Sequence, residues 1–225
     1  MSTLVLFDFD GTLADSAPDL ADAANRQRLR RNLPPLPYDQ LRPAASQGAR
    51  GLLRVALGMT PEDPEFAATR DQFLKDYAQD MYSQTRLFPG IAELIVDIEN
   101  HGMAWGIVTN KVAYLAEPLI ASLPISPAVV VCGDTTPHAK PHPEPLLHAA
   151  RQVGYAPGNC IYIGDDLRDI QAGKAAGMPT IAAAWGYCGE ADPVQTWNAD
   201  HICEQPADTW GAIQALLPAA TRISG

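Results

Sequence analysis

Apolar positions along the chain fall into two rhythms. Short continuous runs occur at 4–8 (Leu4-Val5-Leu6-Phe7-Asp8), 105–109, 128–132, 160–164 and 180–184. Unbroken runs this short fit strands covered on both faces. Between most of them the spacing is helical. Ile91, Leu94, Ile95 and Ile98 stand at i, i+3, i+4, i+7 over 91–101, and Gly102 follows as a stop. Further helices are expected at 143–153, with Pro143 at the start and Gly154 beyond the end, and at 167–176 before Gly177. Strands alternating with helices predict an α/β protein: a parallel sheet between two helical layers.

Residues 16–87 break the alternation. They hold helical stretches at 17–32, 39–57 and 64–82 and no strand pattern, and the chain rejoins the alternation at Phe88-Pro89-Gly90. The expected organisation is a core of residues 1–15 and 88–225, with residues 16–87 inserted as a helical cap over the strand ends.

Composition narrows the partners. The 225 residues are 47% hydrophobic and 19% charged, enough to bury a core, and the net charge is -10. Arg26, Arg28, Arg30 and Arg31 form the densest basic stretch and read as a solvated helix face. Nucleic acid and anionic membranes are therefore poor partners. No run reaches the 18 or so apolar residues of a membrane span. The first residues lack a basic segment followed by an apolar one. Cys132, Cys160, Cys188 and Cys203 lack C-x-x-C spacing and read as unpaired thiols in a reducing compartment. The expected location is cytoplasmic. His138, His142 and His148 read as loop or surface residues, since prolines break any shared helical face.

The chemistry lies at the strand ends, where open parallel sheets bind ligands. Asp8 and Asp10 are two positions apart, so both carboxylates can project into one site where the first strand leaves the sheet. Like charges at 4 Å repel by about 4 kcal/mol at an effective dielectric near 20. A bound cation or a shared catalytic proton are the usual reasons for such a pair. Thr109-Asn110-Lys111 ends the second strand and Gly164-Asp165-Asp166, with Asp169, the fourth; Lys140 precedes Pro141 in between.

In order, Asp8-Phe9-Asp10-Gly11-Thr12-Leu13-Ala14-Asp15-Ser16, Ile107-Val108-Thr109-Asn110, Lys140-Pro141 and Gly164-Asp165-Asp166-Leu167-Arg168-Asp169 match four motifs. The set resembles the haloacid dehalogenase-like superfamily of phosphotransferases, across essentially the whole chain. The resemblance implies a Rossmann-like core and a Mg²⁺-dependent phosphomonoester hydrolase acting through an aspartyl-phosphate. Asp8 would be the nucleophile and Asp10 the general acid and base. Thr109 and Lys140 would hold the phosphate oxygens, with Gly11 and Asn110 beside the substrate. Asp8, the Asp10 backbone carbonyl and Asp165 would bind Mg²⁺; Asp166 and Asp169 would orient its waters or Lys140, and Asp169 reads equally as a helix-N-terminal charge that complements the dipole. Ser46-Gln47-Gly48-Ala49-Arg50-Gly51 resembles the specificity loop of helical-cap members. Arg50 is there either a clamp for a substrate carboxylate or an exposed helix arginine. Asp15 and Ser16 fall at the expected hinge.

Within the superfamily the chain looks like the phosphoglycolate phosphatases, through Cys132-Gly133-Asp134-Thr135-Thr136-Pro137 and Lys140-Pro141-His142-Pro143-Glu144-Pro145-Leu146. It also resembles relatives that dephosphorylate N-acetylmuramic acid 6-phosphate. The expected substrate is a small carboxylated or sugar phosphate. A phosphomutase of the beta-phosphoglucomutase kind would share the core residues. A phospho-accepting receiver module, the non-enzymatic alternative, lacks the Asp-x-Asp-Gly-Thr strand end and the helical insert.

Overall fold

The computed structural model describes residues 3–189 and 193–217. In chain order these form β1 (Leu4–Phe7), β2 (Ala14–Asp15), α1 (Ala17–Leu29), α2 (Tyr38–Leu41), α3 (Gly48–Leu57), α4 (Phe66–Asp80) and β3 (Arg86–Leu87). There follow α5 (Ile91–Asn100), β4 (Ala104–Val108), α6 (Ala113–Ser122), β5 (Val130–Val131), α7 (Glu144–Gln152) and β6 (Cys160–Gly164). The last are α8 (Leu167–Ala175), β7 (Thr180–Ala183), β8 (His201–Cys203) and α9 (Thr209–Leu216).

Six strands make one parallel sheet in the order β5-β4-β1-β6-β7-β8. β1 lies inside it because its four residues are apolar on both faces and fully buried. Val5 and Phe7 join a core with Ile95, Trp105 and Ile163; Leu4 and Leu6 join another with Leu146 and Tyr162. Burying each such side chain stabilises the fold by roughly 1.5–3 kcal/mol. This is the α/β layered, Rossmann-like core expected from the sequence.

Register decides which polar residues meet. Phe7 pairs with Ile107 on β4 and with Ile163 on β6. Asp8 is thus level with Val108 and Gly164, and Thr109 and Asp165 follow directly at the same sheet edge. Asp8 N–H bonds Ile163 O at 2.8 Å, extending the ladder by one residue.

Helix α1 packs against α2, α3 and α4. The cluster is entered and left through an antiparallel pair, Ala14 opposite Leu87 and Asp15 opposite Arg86. The single helix expected at 39–57 is instead α2, a 3₁₀ segment at Arg42–Gln47 containing Pro43, and α3. Proline removes an N–H donor and breaks the ladder. Gly102, Gly154 and Gly177 follow their helices with positive φ, as expected of helix stops. β2, β3, β8, α6 and α9 were not legible in the pattern: the strands have two or three residues, and α6 contains Pro118. Among the described residues no helix is long and apolar enough to cross a membrane, and all four cysteines are free.

Candidate active site

The sheet edge gathers three carboxylates, Asp165 and Asp169 buried and Asp8 partly so. One oxygen from each of Asp8, Asp165 and Asp169 lies within 4.8 Å of the others. The Lys140 ammonium stands among them, 2.9 Å from Asp8 Oδ1 and 2.7 Å from Asp169 Oδ1. It donates to Val108 O at 2.9 Å and to Tyr162 Oη at 2.7 Å. An ammonium has three donors, and Asp8 Oδ1, though in charge contact, is buried without a hydrogen bond of acceptable geometry. Asp165 is held from both sides: Thr12 Oγ1 donates to Oδ1 and Tyr187 N–H to Oδ2, each at 2.9 Å. Gly11 is required beside it. Its φ is +85°, and a Cβ there would meet Asp165 Oδ2 at 2.2 Å.

Burial raises the Asp8 pKa most; Lys140 opposes this and Asp169 and Asp10 add to it, leaving Asp8 at about 7. Asp165 is pushed well above the carboxylate range by burial first, then by Asp8 and Asp169. Lys140 goes up, because the pull of Asp169 and Asp8 outweighs burial. The cluster is short of positive charge.

Asp10 faces another network. Its Oδ1 accepts from Lys111 Nζ at 2.9 Å and, through a very short bond, from Ser16 Oγ. The Asp10 side chain is therefore outside the three-carboxylate set, whose third member is Asp169. Tyr187 Oη ties down the turn by accepting from the N–H groups of Ser16 and Ala17 at 2.8 and 2.9 Å and donating to Asp15 Oδ1 at 3.1 Å.

The remaining residues separate by position. Thr109, Asn110, Lys140, Asp166 and Asp169 line one pocket of about 300 Å³ with Asp8 and Asp10. The Asn110 amide is engaged at both ends with the Lys140 backbone, donating to its O and accepting from its N–H at 2.9 Å, so it anchors the lysine. Asp166 caps α8 and is held by Arg168 at 2.7 and 3.0 Å. Arg168 also donates to Ser46 O at 2.7 Å, joining the core to the helical insert. Arg50 does not reach the first pocket. It lines an adjoining cleft of about 360 Å³ with Arg54, Gln171 and Trp197.

Sequence reasoning gave no role to Lys111, Tyr77, Tyr162, Arg168 or Tyr187. Lys111 directly follows the strand-end pair Thr109-Asn110, which was a usable signal. Tyr187 lies 171 residues from Ser16 and carried none.

An all-oxygen, carboxylate-rich set suits a hard divalent cation such as Mg²⁺. The unbonded Asp8 Oδ1 and the raised Asp8 and Asp165 fit the same ion. A pH effect follows. Without a cation the folded state holds the Asp8 proton up to about pH 7, whereas the ordinary value is 3.8. The folded form then binds more protons than the unfolded one between those values. Its stability falls as pH rises, by on the order of 2–4 kcal/mol from this group. Millimolar Mg²⁺ is expected to raise the melting temperature by roughly 5–10 °C at pH 8 and clearly less at pH 5. Melting curves with EDTA or Mg²⁺ check this; an equal shift at both pH values would count against the cluster as the binding site.

Residues 5–183 match the family model described as haloacid dehalogenase-like hydrolase. The chain belongs to this hydrolase family and is an enzyme. It is 45% identical over 213 residues to a phosphoglycolate phosphatase of Xanthomonas campestris pv. campestris, covering 92% of this chain and 94% of that one. It is 40% identical over 215 residues to the N-acetylmuramic acid 6-phosphate phosphatase of Pseudomonas aeruginosa, covering 95% of each. A crystal structure of a predicted phosphoglycolate phosphatase from Haemophilus somnus 129PT superposes with a TM-score of 0.83 at 27% identity, covering 94% of this chain and 98% of that chain.

Proposed function

We propose that the enzyme hydrolyses a small carboxylated phosphomonoester, as a phosphoglycolate phosphatase does, with Asp8 as nucleophile. It is a phosphomonoester hydrolase. The observation that carries the mechanism is Asp8: it lines the pocket, and its Oδ1 is buried, without a hydrogen bond of acceptable geometry, 2.9 Å from the Lys140 ammonium. Asp8 attacks phosphorus as the ester P–O bond breaks, forming an aspartyl-phosphate. Asp10 passes a proton to the departing alkoxide, then takes one from water as that oxygen attacks phosphorus and frees Asp8. Thr109 and Lys140 hold the non-bridging oxygens through both transfers. Asp8, Asp165 and Asp169, with the Asp10 carbonyl, would hold Mg²⁺, which would neutralise phosphate charge when bound. Residues 16–87 act as a cap that keeps bulk water out.

A phosphate-release screen of 2-phosphoglycolate, N-acetylmuramic acid 6-phosphate and hexose phosphates, with a check for isomerised sugar, tests this reading. The expected result is phosphate release from 2-phosphoglycolate and no isomer. Release only from hexose phosphates, or an isomerised product, would overturn it. The muramic acid ester is the second reading, favoured by the 40% identical relative. Arg50 lies where only a long alcohol part could reach. Arg50→Ala is expected to leave KM for 2-phosphoglycolate within about twofold and to raise that for N-acetylmuramic acid 6-phosphate by about tenfold, the scale of one charged hydrogen bond. Equal effects on both KM values would remove Arg50 from substrate discrimination.

A further inference from the structure

Three polar groups in the pocket remain unused by the chemistry above. Lys111 has a side chain only 8% exposed, and one of its three donors goes to Asp10 Oδ1 at 2.9 Å. Its ammonium lies 4.6 Å from the centroid of the Tyr77 ring, contributed by α4 of the helical insert. Tyr77 Oη is buried and lacks a hydrogen bond of acceptable geometry; burial pushes its pKa up, and the nearby Lys111 ammonium only partly opposes this. Ser46 Oγ, from the 3₁₀ segment Arg42–Gln47, is buried and unbonded as well. The rest of this end is apolar, with Leu20, Phe73 and Leu74.

Buried polar groups without partners are costly to a fold. Here they point to a ligand group that would complete them. The Lys111 ammonium against the Tyr77 ring calls for that group to be an anion, and the contact of Lys111 with Asp10 puts it at the Asp10 side of the pocket. Asp10 serves the ester oxygen, so an anion held by the neighbouring Lys111 belongs to the alcohol part of the ester, close to that oxygen.

We infer that Lys111 and Tyr77 form a carboxylate-reading subsite that selects phosphate esters of short 2-hydroxy acids. The inference rests on the hydrolase reading and assigns its substrate selection to these two residues. The Lys111 ammonium is shared between Asp10 and the substrate carboxylate, and Tyr77 Oη donates to the same carboxylate from the insert. A neutral group in that place would leave the buried Lys111 ammonium without the second anion, which is how a polar site rejects an analogue.

The test compares 2-phosphoglycolate with 2-hydroxyethyl phosphate, an ester of similar length bearing a hydroxyl where the other has a carboxylate. The wild-type enzyme with Mg²⁺ is expected to favour 2-phosphoglycolate in kcat/KM by roughly 100-fold. Lys111→Met should bring the two esters within about threefold. Tyr77→Phe, which keeps the ring, should cut the preference by roughly tenfold, mainly through KM. A preference unchanged in Lys111→Met, or an equal fall for both esters, would overturn the subsite and leave Lys111 acting only through Asp10. If Lys111→Met does not melt as a folded protein, the Tyr77→Phe ratio decides, and an unchanged ratio overturns the inference.

Calorimetric titration of Asp8→Asn with each ester separates selection from turnover. Tighter binding of 2-phosphoglycolate, lost in Asp8→Asn/Lys111→Met, supports the subsite even if the wild type hydrolyses neither ester and the hydrolase reading falls. No binding preference overturns it while leaving any measured phosphatase activity intact.

Discussion

Asp8→Asn is expected to abolish phosphate release from every phosphomonoester, by about 10⁴-fold or more, while the protein still folds. The amide has nearly the carboxylate's shape, but it cannot form the acyl phosphate. Asp8 is partly buried beside Lys140 and close to Asp169, so replacing a charged group with a neutral one also relieves repulsion with Asp165 and Asp169. Unfolding by heat is therefore expected at or above the wild-type temperature in EDTA. Steady-state phosphate release and a melting curve check both parts together. Turnover within tenfold of wild type would take the nucleophile role from Asp8.

Lys140→Met is expected to damage both catalysis and stability. Lys140 is 4% exposed, and its ammonium contacts Asp8, Asp169, Val108 O and Tyr162 Oη. Its removal leaves two carboxylates facing each other in a buried site, a change that costs about 3–5 kcal/mol when one partner of a buried pair is lost. The loss should be largest near pH 8 and shrink toward pH 5. Unpaired buried carboxylates keep their protons to higher pH in the folded state than in the unfolded one, so folding loses ground as pH rises. Activity should fall by about 10²–10³-fold at least, since a positioned cation on the transferring group is gone. Denaturant titrations at pH 5.5 and 8, alongside kcat, would show it. A pH-independent loss would mean that Lys140 acts by packing alone.

The relation of Lys140 to Asp169 illustrates what linear reading can reach. Both lie in recognisable motifs, yet their 2.7 Å contact needs Asn110, which fastens the Lys140 backbone to the end of β4. Asn110 was expected beside the substrate, and the structure commits its side chain to the lysine loop. Gly11, also expected there, lies against Asp165. Arg50 shows the opposite difficulty. Its loop resembles a specificity loop, but α3 carries the guanidinium into the neighbouring cleft. A rotation of one residue on a helix turns a side chain by about 100°, and no local pattern fixes that against the core.

The chain by itself determined the strand that delivers Asp8 and Asp10, the alternation that makes the sheet parallel, and the acids and lysine at its edge. These are local consequences: unbroken apolar runs must be covered on both faces, and two-residue spacing keeps side chains on one side. The tertiary structure decided which groups share a charge. Register placed Asp165 level with the residue after Asp8. Asp169, rather than the side chain of Asp10, was brought to the carboxylate trio, and Lys111 was set against Asp10 beneath Tyr77. The Lys111–Asp10 pairing alone joins residues 101 positions apart, so these meetings depend on how separate elements pack, a property that no stretch of sequence carries alone.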